Sequence, residues 1–360
     1  MQTQALRFNF PTDGDMLHAK DGDVIDGKLH TNVCVNASAG RSITISGTEA
    51  NRDGENYSAG IILSSYKTKL EAKDIHSGET AAITIYWLPD FAGKYRISID
   101  DNIRFLQDLH QHEDSYTSIF DNEYLYFLRQ VHQEFGTKFH LNLFYQTDGF
   151  NLSQLSDQYK PDWKANANWL RLSFHAMGEF PDKPYIDAGY DQVKKDCNLI
   201  DNEIRRFAGQ ESMGSFTTVH WGEASKEGVR ALHDCGYRGL LGYFNVDDDL
   251  PSVSYYFTAD QTRHIKKRWV WKDNQLDMAF IRTSMVIDKT NPDEIIPHLD
   301  SYKQNNHLPP YLDMLVHEQY YYPDYFNYEA DYRDRFMICA KWARDNQYEP
   351  GFLSEVLFEK

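Results

Sequence analysis

From Tyr95 onward, strands alternate with amphipathic helices, and few folds accommodate that order. Runs patterned as strands lie at Tyr95–Ile99, Phe139–Phe144, Trp169–Phe174, Ser215–Val219, Gly239–Tyr243, Ala279–Thr283 and Tyr311–Val316. Between them, helical patterns cover Asn122–Phe135, Tyr190–Ala208, Lys226–Cys235, Pro292–Asn305 and Tyr332–Asn346. In the first helix, Leu125, Phe127, Leu128 and Val131 fall mostly on one face. A strand, a crossover helix and a second strand make a parallel pair, and about seven such strands suit a barrel. The expected fold class is α/β, with a distorted (β/α)7-type barrel over residues 94–360.

Residues 1–93 read differently. Short alternating runs at Thr31–Asn36, Ser42–Ser46, Ala59–Leu63 and Ala81–Trp87 are punctuated by Gly, Asn and Asp. No long helical period interrupts them, so an immunoglobulin-like β-sandwich is expected there, as an accessory domain without chemistry of its own. Hydrophobic residues at 41% are enough for a packed core. Aromatics reach 14%, with 24 Tyr and 7 Trp, which suits sugar-stacking surfaces as well as plain packing.

A net charge of −17 disfavours nucleic acid and anionic membranes as partners. The one compact basic run, Lys266-Lys267-Arg268, reads as a solvated surface. No apolar stretch approaches the ~18 residues that span a bilayer. Met1–Arg7 lacks the charged and apolar segments of a signal peptide. Cys34, Cys197, Cys235 and Cys339 are widely spread with no C-x-x-C pair, against a zinc ribbon or a disulfide framework. A cytoplasmic chain with free thiols is expected, and homo-oligomerisation is left open.

In a parallel barrel, reactive groups gather at the C-terminal ends of the strands. Four of the expected strands end in residues suited to metal or proton chemistry. The first ends in Asp100-Asp101, the third runs into His175-Ala-Met-Gly-Glu179, the fourth into His220-Trp-Gly-Glu223, and the last into His317-Glu318. Alone, adjacent aspartates suit a turn and a single His suits a structural hydrogen bond. Four such ends in one sheet point to a shared polar site. Asp, His and Glu together match a divalent ion such as zinc, and one carboxylate beside it can serve as a base.

These strand ends resemble the polysaccharide deacetylases of the NodB-homology type, a family of metal-dependent carbohydrate esterases, over about residues 95–360. The resemblance makes Asp100 the general base and Asp101 a metal ligand. The family's His-x-x-x-His pair falls on His175 and Glu179, with Glu in place of the second His. Its Arg-Pro-Pro-Tyr motif falls on the segment from Thr218 to Ser225, where His220 can supply the missing imidazole. Its closing Leu-His motif falls on Leu315-Val-His317, offset by one residue, and makes His317 the general acid. The metal set is then Asp101, His175 and either His220 or Glu179. Zinc comes first, with Mn, Co, Ni or Mg as alternatives.

The expected function is a hydrolase that removes an acyl group from an N-acetylated saccharide. Trp221, Tyr145, Tyr320 and Glu318 are candidates to hold the carbohydrate substrate. Two alternatives stand beside it. One is a glycan-binding module on the same fold, and the other is a metal-free glycoside hydrolase using two carboxylates such as Asp100 and Glu318. Plainer roles are also open: a loop acid for Glu179, a core imidazole for His220, and an ion-pair partner of Arg333 or Arg335 for Glu318.

Overall fold

The computed structural model describes residues Ala5 to Phe358, and it is a mixed α/β protein. The chain forms two compact units. The first contains the residues up to Ala92, together with Val270–Asp277 and the described residues from Glu355. The second contains Gly93–Trp269 and Met278–Ser354.

The first unit has two five-stranded sheets. One orders Arg7–Phe10, Lys28–Asn36, Asn56–Leu63 and Asn51–Asp53, with Asp23–Ile25 also on Lys28–Asn36. The other orders Met16–Leu17, Thr80–Trp87, Lys67–Asp74, Ile43–Ile45 and Thr48–Glu49. Strand alternation puts Leu29, Val33 and Val35 on the inner face of Lys28–Asn36. They share one buried cluster with Ile45, Leu70 and Ile85 of the other sheet.

The continuous run expected over residues 94–360 is interrupted. Val270–Asp277 belongs to the first unit, where three of its polar groups find partners. Lys272 N–H donates to Gly14 O at 2.9 Å, Trp271 Nε1 to Asp13 O at 2.8 Å, and Tyr86 Oη to Asn274 Oδ1 at 2.6 Å.

In the second unit, one set of parallel strands runs in the order Leu170–Ala176, Phe139–Phe144, Lys94–Asn102, Tyr311–His317, Met285–Val286. A further parallel set is Phe216–Thr217, Gly239–Gly242 and Met278–Arg282. Met285–Val286 was not expected, since two residues carry no readable alternation. The helices Arg104–Gln111 and Ala259–Arg268 were not expected either.

The register divides the central sheet into two chemically different faces. Tyr95, Ile97 and Ile99 lie on one face, level with Leu312, Met314 and Val316 and with Phe139 and Leu141. Arg96, Ser98 and Asp100 lie on the other, level with Asp313, Leu315 and His317 and with His140. Both faces are buried. Buried parallel strands ordinarily read as apolar on both sides, so a polar inner face needs partners for each group. Arg96 Nε meets Asp313 Oδ1 at 2.8 Å, with both side chains fully buried.

Candidate metal centre

Adjacent residues in a regular strand point to opposite faces. Asp100 and Asp101 nevertheless both line one cavity of about 570 Å³. The register against Phe139–Phe144 slips between Ile99 and Asn102, and Asp101 takes φ = +62°. This bulge places both carboxylates on the same side. Left-handed backbone is costly for a residue with a Cβ, and such strain collects at functional sites.

Three side chains converge at the strand ends. His175 Nε2 lies 2.9 Å from Asp101 Oδ1 and 3.2 Å from His220 Nδ1. His220 Nδ1 lies 3.2 Å from Asp101 Oδ1. A tetrahedral ion with ligand bonds of about 2.0–2.2 Å holds its ligand atoms about 3.3–3.6 Å apart, within a few tenths of an ångström of this arrangement. All three residues are buried, and among the described residues this group alone could hold a metal ion.

The imidazole tautomers support the same reading. His175 Nδ1–H donates to Thr218 O at 2.5 Å, leaving the Nε2 lone pair toward Asp101. His220 Nε2–H donates to Glu179 O at 3.0 Å, leaving Nδ1 inward. Backbone carbonyls that fix the far nitrogen are a usual support for metal-binding histidines. The Phe144 ring packs 5.2 Å from that of His175 and 5.0 Å from that of His220, giving the cluster an apolar wall.

Charge follows the geometry. Burial opposes ionisation of Asp101, but its contacts with His175 and His220, which become hydrogen bonds when those imidazoles carry a second proton, and the nearby His317 outweigh it, holding the carboxyl well below the usual range. Burial pushes the Asp100 carboxyl up, only partly offset by His175, His317 and the Asn142 amide. His317 is paired through Nδ1 with Asp288 Oδ2 at 2.6 Å. Burial disfavours its charge, yet Asp288 and the two cavity aspartates raise it to about 10. Asp288 went unrecognised in the sequence, because it follows a two-residue strand in a short 3-10 turn, Ile287–Lys289.

The expected site residues separate clearly. Asp100, Asp101, His175, His220, His317, Glu179, Trp221 and Tyr320 all line the cavity. Glu179 stands apart from the three converging groups: its Oε1 accepts from Tyr325 Oη at 2.8 Å, and only its backbone carbonyl reaches His220. Trp221 is 46% exposed at the cavity edge, with φ = +68°. Lys289 donates to the Tyr320 hydroxyl.

Glu318 is a correction. It is fully buried, with Oε2 accepting from Ile103 and Arg104 N–H at 2.7 and 3.0 Å and Oε1 from Phe105 N–H at 2.7 Å and Tyr322 Oη at 2.8 Å. The helix Arg104–Gln111 has no local side-chain cap, and Glu318 supplies one from across the fold. It does not line the cavity, nor is it an ion-pair partner of Arg333 or Arg335. Tyr145 is a second correction. Phe144 packs on the His175 and His220 rings, and Tyr145, whose N–H donates to Ala176 O, is outside the lining.

Asn142, also unrecognised, donates from Nδ2 to Asp100 Oδ1 at 2.5 Å. Its signal was the alternation Phe139-His-Leu-Asn-Leu-Phe144, which places polar groups on one face of a central strand. No helix among the described residues is long and apolar enough to cross a membrane. No family model matches this chain, and no curated protein matches its sequence.

Proposed function

We propose that this chain is a metal-dependent hydrolase that removes an acyl group from an N-acylated saccharide. One observation carries the reading: a buried Asp101–His175–His220 cluster opens into a cavity that also holds Asp100 and the His317–Asp288 pair. A divalent ion held by those three residues, zinc first, would supply Lewis-acid polarisation of the acyl oxygen and acidify water. Asp100 takes the proton from the attacking water. His317, kept protonated by Asp288, gives a proton to the departing sugar nitrogen. Trp221 and Tyr320 flank the cavity and offer aromatic faces to a pyranose ring.

The matching fold reading is a β-sandwich followed by a distorted barrel, its two parallel sets being arcs of one wall. Two bonds support joining them. Thr283 N–H donates to Gly242 O, and the next residue, Ser284, donates to Asp313 O. The glycoside hydrolase alternative loses Glu318 as its second carboxylate, because Glu318 is spent on a helix terminus.

The test combines metal analysis by mass spectrometry with acetate release from N-acetylglucosamine oligomers. The expected result is about one bound divalent ion per chain, with activity lost in chelator and restored by zinc. Purified protein without a divalent metal, and activity indifferent to chelator, would overturn the mechanism. No acetate release, with sugar binding unaltered by Asp100→Asn, would replace it with a glycan-binding barrel.

A further inference from the structure

Asp100 is held from beneath by a chain of directed hydrogen bonds. An ionised carboxylate only accepts, so the 2.5 Å contact to Asp100 Oδ1 comes from the Asn142 amide N–H. The Asn142 carbonyl oxygen must then accept, and Ser173 Oγ–H donates to it at 2.6 Å. Ser173 Oγ also lies 2.9 Å from His140 Nε2, and the His140 ring has a second hydrogen-bond partner in the Phe216 backbone. The directed chain runs Ser173 to Asn142 to Asp100, with His140 beside Ser173, and all four are buried. Thr217 Oγ1 lies 3.1 Å from the same Asn142 oxygen and also reaches the carbonyls of Phe174 and Thr218, so Ser173 is the dedicated donor.

An amide can flip at small cost unless its two ends see different partners. Ser173 removes that freedom by requiring an acceptor at its position. Asp100 Oδ1 is thereby tethered inside the fold. Its Oδ2 has no hydrogen bond among the described residues, while Asp100 itself lines the cavity.

We propose that Asn142, locked by Ser173, is the positioning residue that fixes the rotation of the Asp100 carboxylate and presents its Oδ2 to the cavity. The inference rests on the reading of Asp100 as the proton acceptor. Neither Asn142 nor Ser173 lines the cavity or belongs to the metal cluster, so their loss should leave zinc and sugar binding intact. Misorienting one catalytic group is worth about tenfold to a hundredfold in rate, and a loss confined to the transition state appears in kcat rather than KM.

The experiment uses the zinc-loaded full chain and the N-acetylglucosamine tetramer. Ser173→Ala should lower kcat about tenfold, and Asn142→Leu by about a hundredfold. KM and zinc stoichiometry should be unchanged, and Ser173→Thr, which keeps the hydroxyl, should restore kcat. Crystal structures of wild type and Ser173→Ala give a readout independent of turnover: the Asp100 carboxylate should rotate in the variant. Wild-type kcat in a folded Asn142→Leu variant, or an unmoved Asp100 in Ser173→Ala, overturns the positioning role. If wild type releases no acetate from the tetramer, the functional reading fails, and the crystal structures alone decide whether Ser173 and Asn142 set the carboxylate.

Discussion

Replacing Asp201 by Asn should remove a loss of stability that wild type suffers as pH rises from about 4 to about 6. Asp201 lies on the helix Tyr190–Phe207 and is 1% exposed. Its Oδ1 accepts from Tyr237 Oη at 2.9 Å, and Tyr237 Oη in turn accepts from Phe174 N–H at 2.7 Å. The residue after Phe174 is His175, so this short relay secures the strand end that carries one imidazole of the Asp101–His175–His220 group. Burial pushes the Asp201 carboxyl from 3.8 up to about 6, with Tyr237, Arg205 and Cys197 only partly compensating. An acid whose folded value is raised contributes stability that is fully present below its unfolded value. That contribution is lost as pH rises through the folded value. The window here runs from about pH 4 to pH 6. A shift of about two units corresponds to ~3 kcal/mol in full, of which ~2 kcal/mol falls between pH 4.5 and pH 8. Asn keeps the acceptor for Tyr237 and removes the charge, but its new N–H₂ needs a partner and adds a pH-independent offset of about 1–3 kcal/mol. The informative quantity is therefore the difference of differences. Calorimetric unfolding of wild type and Asp201→Asn at pH 4.5 and pH 8 should show the variant gaining ~2 kcal/mol relative to wild type at the higher pH. A stability difference identical at the two pH values would refute the argument that burial of this carboxylate is unfavourable.

Other perturbations separate the roles assigned to neighbouring groups. His220→Ala should abolish stoichiometric zinc binding, whereas Glu179→Gln should retain it, as read by mass spectrometry of the native protein. Zinc at a hundredfold excess over its dissociation constant should raise unfolding stability by about 2.7 kcal/mol in wild type and by nothing in Asp101→Asn, measured by thermal denaturation. Glu318→Ala strands three buried backbone N–H groups of the helix starting at Arg104, so urea denaturation should show a loss of about 2–4 kcal/mol, with sugar affinity of the folded fraction unchanged. Asp313→Asn leaves the Arg96 guanidinium buried without a counter-charge and should cost about 3–5 kcal/mol. The double variant Arg96→Met with Asp313→Leu should recover most of that in the same assay.

What the sequence revealed, and what it hid, follows from the range of the interactions involved. Helices such as Glu123–Phe135 and Lys226–Asp234 carry their own signals, with side-chain caps at Asn122 and Ser225. Arg104–Gln111 has no such cap, because the carboxylate at its N-terminus comes from Glu318, 213 to 215 residues away. The same contact explains why Glu318 looked available for substrate. The choice between Glu179 and His220 was equally invisible, since it depends on the Glu179 side chain turning to Tyr325 while its carbonyl supports His220. The bulge that brings Asp100 and Asp101 together cannot be read from two adjacent aspartates, for regular alternation would have parted them.

The inner face of the central sheet joins these observations physically. Arg96, Ser98 and Asp100 in one strand, His140 and Asn142 in the next, and Ser173 and His175 in the third are all polar and buried. An apolar filling of the same volume would be more stable, because each of these groups has been taken out of water. Several of them are not fully compensated: Arg96 Nη1 and Nη2 and Ser98 Oγ lack hydrogen-bond partners. The polar column therefore opposes stability, and its order along the strands gives it another purpose. Moving toward the strand ends, the Arg96–Asp313 pair gives way to the neutral Asn142 and Ser173, and then to Asp100, Asp101 and the histidines. Fixed dipoles beneath a reactive carboxylate hold it in one orientation without reorganising during a reaction. A fold that needed only a filled core would have had no reason to place an amide and a hydroxyl in that order under Asp100.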